Sequence, residues 1–221
     1  VIMNVLFVMN VHKEFELALC TATRIKDYYP TASLLIVFDD TINDCPTKIY
    51  DCLVRLGWLF NNKSGYRHNT RFYLNLATTV FNRDYIVKLD PDTYVKGTFN
   101  FNSLDKDCLH CNFNPDEKHG RYIFGGLIVY PYKIAKEIVE SELLDDEKYN
   151  HKKFNYTNRK TKQQTPCQDK IIYDVVYSLG IRMCYVVHFA NISLKPLNYL
   201  EEGYYFQHGY NEVDKTLVPL L

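Results

Sequence analysis

The sequence predicts an α/β protein folded as one domain around a mostly parallel sheet with helices on its faces, and three observations lead there. Strand and helix patterns alternate along the first part of the chain. The apolar runs are short, rich in Val, Ile and Leu, and largely unbroken by polar residues, as strands covered on both faces are. At 221 residues the chain can bury a substantial core without staples.

Val1 to Met9 is almost wholly apolar and reads as the first buried strand, running into Asn10-Val11-His12-Lys13. Glu14 to Tyr29 carries Phe15, Leu19, Ala22 and Ile25 at helical spacing and is closed by Pro30, so it predicts a helix lying back on the sheet. Leu34 to Phe38 is the second strand, ending in Asp39-Asp40, and the strand-helix-strand order makes a right-handed crossover. Thr47 to Leu59 reads as a second helix, which Asp39 or Asp40 could cap, and Asn61 to His68 as a polar loop. A third helix is expected over about 70–81, with Phe72, Leu76 and Val80 on one face.

The most informative stretch follows. Tyr85-Ile86-Val87-Lys88-Leu89 is a buried-strand pattern that stops at Asp90-Pro91-Asp92-Thr93-Tyr94-Val95. Pro91 cannot donate to a ladder, so it ends the strand and fixes the backbone between two carboxylates. Acids at the carboxyl end of a central strand stand where open α/β sheets bind ligands. Hard oxygen donors at this spacing suit Mg²⁺ or Mn²⁺ holding a diphosphate, whereas zinc prefers His and Cys.

Asn100 to Asp107 reads as a polar connector, and Arg121 to Tyr130 as a strand interrupted by Gly125-Gly126, the mark of a bulge or of close approach by a ligand or another backbone. Tyr132 to Leu144 is an amphipathic helix. Asp145 to Thr165, with many lysines and few apolar residues, reads as a mobile loop. A helix runs from Cys167-Gln168-Asp169 to Leu179, where Asp169 complements the dipole, and Met183 to Phe189 is the last strong strand.

Lys+Arg and Asp+Glu both number 26, so no overall field points to nucleic acid as a partner. Apolar runs such as Val5 to Val8 are too short to span a bilayer, and no charged region with an apolar segment opens the chain. A soluble chain is expected, with further domains in a longer protein left open. Seven scattered cysteines favour a reducing, cytoplasmic setting, which leaves the Asn-x-Ser/Thr triplets at Asn62, Asn155 and Asn191 as chance. Cys108-Leu109-His110-Cys111 has no second pair to complete a zinc site. Neither Gly-x-Gly-x-x-Gly nor a P-loop occurs.

The strand ending in Asp90-x-Asp92, with Thr, Tyr and Val after it, resembles the signature of GT-A glycosyltransferases, which transfer a sugar from a nucleotide diphosphate. The resemblance covers most of the chain in order. It implies a single GT-A domain over 1–221, with a smaller antiparallel part beside the sheet, nucleotide binding in about 1–100 and the acceptor side in about 101–221. It makes Asn10, Lys13, Asp39 and Asp40 candidates for base and ribose contacts. Arg71, on the helix before the acids, and Lys215 become candidates for the diphosphate or sugar. Gly125-Gly126 is similar to the strand set against the donor sugar. Asp169 matches the acid that acts on acceptor or sugar, in inverting or retaining members. The resemblance also implies Asp90, Asp92 and His208 as ligands of Mn²⁺ or Mg²⁺, with His188 as rival to His208. The implied donor is a UDP-sugar and the acceptor a glycan or glycoprotein. The Tyr-, Asn- and Lys-rich chain is also similar to glycosyltransferases of large algal DNA viruses, which would work in the host cytoplasm. Two other classes fit an Asp-x-Asp strand: a phosphohydrolase of the haloacid dehalogenase type, and a sugar-nucleotide or glycan-binding module without catalysis.

Overall fold

The computed structural model describes residues 4–39, 50–56, 65–115, 121–150, 152–157, 164–186, 188–191 and 202–209. Chain order begins β1 (Val5–Val11), α1 (Phe15–Tyr28), β2 (Ser33–Phe38), β3 (Cys52–Arg55) and α2 (Gly65–Leu76), which continues as a π-helical turn Ala77–Phe81. Next come β4 (Tyr85–Leu89), β5 (Thr93–Val95), β6 (Cys108–Asn114), β7 (Tyr122–Pro131) and α3 (Tyr132–Glu140). The remainder holds β8 (Asn155–Thr157), β9 (Gln164–Pro166), α4 (Gln168–Ser178), β10 (Arg182–Cys184), β11 (Phe189–Asn191) and β12 (Phe206–His208).

Seven of these strands form one sheet in the order β10-β6-β7-β4-β1-β2-β3. Within it β7 runs against its neighbours β4 and β6, and the other pairings are parallel. A smaller sheet, β11-β12-β5, joins β12 antiparallel to β5, and β8 and β9 form an antiparallel pair. The architecture is therefore the expected α/β one, mostly parallel, with a small antiparallel part.

The unbroken apolar strands have a packing reason: the sheet is covered twice. Leu6, Val8, Leu35, Val37, Ile86 and Ile128 meet α2, α3 and α4 on one face. Phe7, Met9, Leu34, Ile36, Val87 and Val129 meet α1, Phe101 and the small sheet on the other. Each such side chain, fully buried, stabilises by about 1.5–3 kcal/mol. Tyr29, just after α1, ties the second face together: its hydroxyl accepts the Phe99 N–H at 2.7 Å, and its ring lies 5.0 Å from that of Phe7.

Several expectations are corrected. The helix expected over Thr47 to Leu59 is, within 50–56, the strand β3, parallel to β2. Cys52 and Val54 pack toward one core and Leu53 toward the other, while Asp51 accepts the Leu34 N–H at 2.6 Å and Lys26 Nζ at 2.8 Å. The open edge of β2 thus outweighed a local helical pattern. The loop expected over Asn61 to His68 is already α2 from Gly65 onward. Val80 is 66% exposed, because the π-helical turn rotates the end of that helix off the face shared by Phe72 and Leu76. Met183 to Phe189 is not one strand; β10 extends the large sheet and β11 belongs to the small one. The connector 100–107 carries Phe101, buried in the core. The loop expected over Asp145 to Thr165 is, in its described parts, a series of 3₁₀ turns and the β8–β9 pair, anchored by the buried Tyr149 and Phe154. Among the described residues no helix is long and apolar enough to cross a membrane.

A candidate metal centre and the cavity beside it

β4 delivers Asp90 to the carboxyl edge of the sheet, beside the ends of β1 and β2. Asp90-Pro91-Asp92-Thr93 is a turn closed by the Thr93 N–H donating to the Asp90 carbonyl at 3.1 Å, with Pro91 in the position that suits its fixed φ. A buried hydroxyl on α1 holds this turn from behind: Thr21 Oγ1 lies 2.7 Å from the Pro91 carbonyl and 2.9 Å from that of Thr93. Arg24, one turn on, stacks over the Tyr94 ring at 4.1 Å.

The third candidate ligand arrives on β12, whose His208 pairs with Thr93 of β5. His208 Nε2 lies 3.2 Å from Asp90 Oδ2 and 3.3 Å from Asp92 Oδ1. One ligand atom from each of the three residues falls within 4.8 Å of the others. Two carboxylates and an imidazole fit Mn²⁺ or Mg²⁺, because two of the three donors are hard oxygens and no thiolate is present. His188, the rival, is instead packed between Phe99 and Tyr205, with ring centroids at 5.6 and 5.2 Å.

Lys88, one step back on the same face of β4, pairs with Asp90 Oδ1 and donates to the Gly125 carbonyl. It is only 4% exposed, and although burial would lower its pKa, Asp90 carries it upward, so it stays charged. Burial works to raise Asp90, but Lys88 and then His208 outweigh it and hold the carboxyl well below its usual range. Burial would lower His208, yet its hydrogen bonds to Asp90 and Asp92 bring it up to about 10.

Gly125 and Gly126 explain how the rest of the site closes. A Cβ on Gly125 would collide with the Asp169 carboxylate; one on Gly126 would stand 2.6 Å from His208 Cγ and 2.9 Å from its Nδ1. The close approach expected here is thus made by two of the protein's own site residues. A bulge is present as well. Cys111 pairs with Ile128 but Phe113 with Ile123, so β7 carries extra residues between these points. Ile123 and Ile128 share a core cluster despite an odd spacing, so strand alternation breaks once, at the glycines. That break lets Asp169, from the helical layer, and His208, from the small sheet, reach the same edge.

Asp169 sits in the first turn of α4 and accepts a hydrogen bond from the Gly125 backbone. Burial pushes its pKa up to about 6, opposed by Lys88 and assisted by Asp90.

The triad itself lines a cavity of about 320 Å³, together with Asn10, His12, Glu14, Asn69, Lys88 and Gln168. Burial, then Asp92, raises the Glu14 pKa. Gln168 donates to Thr70 Oγ1. Among the described residues, Asn10 Oδ1 and Nδ2 and Asn69 Oδ1 are buried with no hydrogen-bond partner.

Asn10, Asp90, Asp92, Gly125, Gly126, Asp169 and His208 are therefore brought together. Other expected residues stand apart. Asp39 is fully buried with its carboxylate 2.6 Å from His12 Nδ1, so it braces the first loop from inside. Lys13 is exposed with φ 69°. Arg71 is half exposed, pairs with Asp145 and does not line the cavity. Asp40 and Lys215 lie outside the described residues. Sequence reasoning missed Lys88, Glu14, Asn69 and Gln168; a lysine inside an otherwise apolar buried strand was the one visible signal.

No family model matches the chain and no curated protein matches it.

Proposed function

We propose that the protein is a divalent-metal-dependent glycosyltransferase of the GT-A kind, moving a sugar from a nucleotide diphosphate, in the first instance a UDP-sugar, to a glycan or glycoprotein acceptor. The observation that carries this reading is the convergence of Asp90, Asp92 and His208 at the carboxyl edge of the sheet, with Asp169 facing them across Gly125. Asp90, Asp92 and His208 would hold Mn²⁺ or Mg²⁺. A cation held there supplies a Lewis acid for the diphosphate as negative charge builds on it.

The remaining steps belong to the chain's own residues. Lys88 keeps Asp90 ionised and ready to ligate. Asp169, with a pKa of about 6, is ionised at neutral pH yet basic enough to take the proton of an acceptor hydroxyl. Pro91 and Thr21 hold the turn, so little reorganisation accompanies binding. A phosphohydrolase of the haloacid dehalogenase type would carry its acid pair at the end of the first strand, and here the pair follows β4.

Calorimetric titration of UDP with and without Mn²⁺ tests the proposal. Binding should require the metal and disappear in Asp92→Ala and His208→Ala, and Asp92→Ala should abolish UDP-sugar turnover. UDP that fails to bind in either metal state would overturn the reading; metal-dependent binding without turnover of any UDP-sugar would reduce the protein to a binding module.

A further inference from the structure

Two cysteines far apart in the chain are brought together by the sheet. Cys108 opens β6 and Cys184 closes β10; the register sets Arg182 opposite Cys108 and Cys184 opposite His110, so both thiols share one face. Cys184 Sγ lies 2.7 Å from Cys108 Sγ, about 0.7 Å beyond the length of a disulfide bond, so little movement separates the thiols from a covalent link. Cys111, the other cysteine of the Cys-x-x-Cys stretch, belongs to the helix-covered core on the opposite face. Among the described residues the sulfurs here therefore gather as a pair, and not as the ligand set of a zinc site.

The two thiols are not equivalent. Cys184 is partly exposed, whereas Cys108 is buried, and burial followed by the contact with Cys184 pushes the Cys108 pKa up to about 12. An external disulfide can reach only Cys184 of the two. Arg182, two residues before it on the same face, is coupled first to Cys108 and then to Asp105 and Cys184, and a guanidinium beside sulfur favours the thiolate that attacks. A bond at this place also has something to hold. Among the described residues β10 is an edge strand three residues long, paired with β6, and it follows α4, the helix that carries Asp169.

We propose that Cys108 and Cys184 are a modification site: a dithiol that an external disulfide, such as oxidised glutathione, converts to a disulfide bond stapling β10 to β6. The Cys184 thiolate attacks one sulfur of oxidised glutathione, and a mixed disulfide forms as the first glutathione thiolate leaves with the proton that Cys184 lost. Cys108 then attacks Cys184 Sγ from within the same molecule, which needs no access from solvent, and its proton goes to the second departing glutathione. Two protein thiols are oxidised, and one glutathione disulfide is reduced to two thiols. In a reducing setting both cysteines stay as thiols, so the bond records exposure of the folded chain to an oxidising one. The proposal is independent of the transferase reading.

In the experiment, the folded, fully reduced protein is incubated with excess oxidised glutathione and quenched in denaturant containing N-ethylmaleimide. Non-reduced peptides are then mapped by mass spectrometry, and thermal unfolding is followed on unquenched portions of the same samples. The expected result is a peptide joining Cys108 to Cys184, with a melting midpoint raised by about 4–16 °C, the worth of a typical disulfide in a chain of this size, and returned to its starting value by dithiothreitol. Cys108→Ser should stop at glutathione on Cys184, Cys184→Ser should leave Cys108 as a thiol, and neither should gain the shift. Wild-type mapping decides the pairing by itself, so a serine variant that fails to fold takes nothing from the test. Recovery of both cysteines as alkylated thiols, arrest of wild type at the glutathione adduct, or joining of either to a different cysteine would overturn the proposal; so would a Cys108–Cys184 bond that leaves the midpoint unchanged.

Discussion

Gly126→Ala is the sharpest perturbation of the proposed metal centre, because it adds one methyl group and changes none of the three candidate ligands chemically. The new Cβ would stand 2.6 Å from His208 Cγ, 2.9 Å from Nδ1 and 3.0 Å from Cβ. Comfortable carbon contacts are about 3.5–4.0 Å, so the imidazole must retreat by about 1 Å. It has no free path, since β12 is fixed to β5 through the His208–Thr93 pairing. Nε2 now sits 3.2 and 3.3 Å from the two carboxylates, and a ring pushed back by that much no longer converges with them on one ion. Disturbing the support of a metal ligand weakens affinity about 10–100-fold, which is about 1.4–2.8 kcal/mol. Overpacking should also cost roughly 1–3 kcal/mol of stability. Gly125→Ala is the matched control: its Cβ meets Asp169 and leaves His208 alone. Titration of Mn²⁺ should show the affinity loss in Gly126→Ala only, whereas both variants lose turnover. Equal Mn²⁺ affinity in wild type and Gly126→Ala, or a loss confined to Gly125→Ala, would refute the geometry.

Other outcomes follow from the charges. The His208 pKa of about 10 means that a metal must displace a proton at neutral pH, so affinity should rise up to tenfold per pH unit between pH 7 and 9. Titrations in buffers of different ionisation enthalpy should find about one proton released; none would show that His208 is not a ligand. Asp169→Asn should reduce turnover by about 10²–10⁴ while UDP and metal binding persist, and wild-type kcat/KM should fall below pH 6; a variant with normal turnover would remove Asp169 from the chemistry. Because its folded pKa is raised, ionised Asp169 subtracts stability above pH 6, so Asp169→Asn should melt higher than wild type at pH 7.5 and show no such gain near pH 4. Lys88→Met leaves Asp90 without its buried partner and should cost about 2–4 kcal/mol in urea denaturation, with a smaller loss arguing that the pair is not buried as described.

The reach of the sequence is seen in particular elements. Tyr85 to Leu89, Pro91 and the paired acids announced a strand, its stop and two carboxylates at the sheet edge in a few adjacent residues, because each signal is local. Asp169 and His208 were found by their order along a resemblance, and their proximity depends on a bulge that the sequence marked only as two glycines. β3 was misread because its pairing is dictated by the edge of β2 and by Asp51, neither of which appears in the periodicity of 47–59. Val80 went astray at a π-helical turn, which shifts phase without any breaker residue. Asn10 fell within the expected loop, but Asn69 and Gln168 look like ordinary polar helix residues until the fold turns them inward. Arg71, the more conspicuous charge, points to Asp145 instead.

The pairing of His208 with Thr93 closes a very long loop of chain. Contacts of such separation form late and slowly, after loop entropy has been overcome. The strand is three residues long and is held between β5 and β11 in the small sheet. An ion shared by Asp90, Asp92 and His208 would act as a clasp on β12, joining the middle strand of the small sheet to the end of β4. Its addition would slow amide exchange at Phe206 and Gln207 far more than at Val87, so occupancy could be followed from the backbone without any sugar or acceptor present.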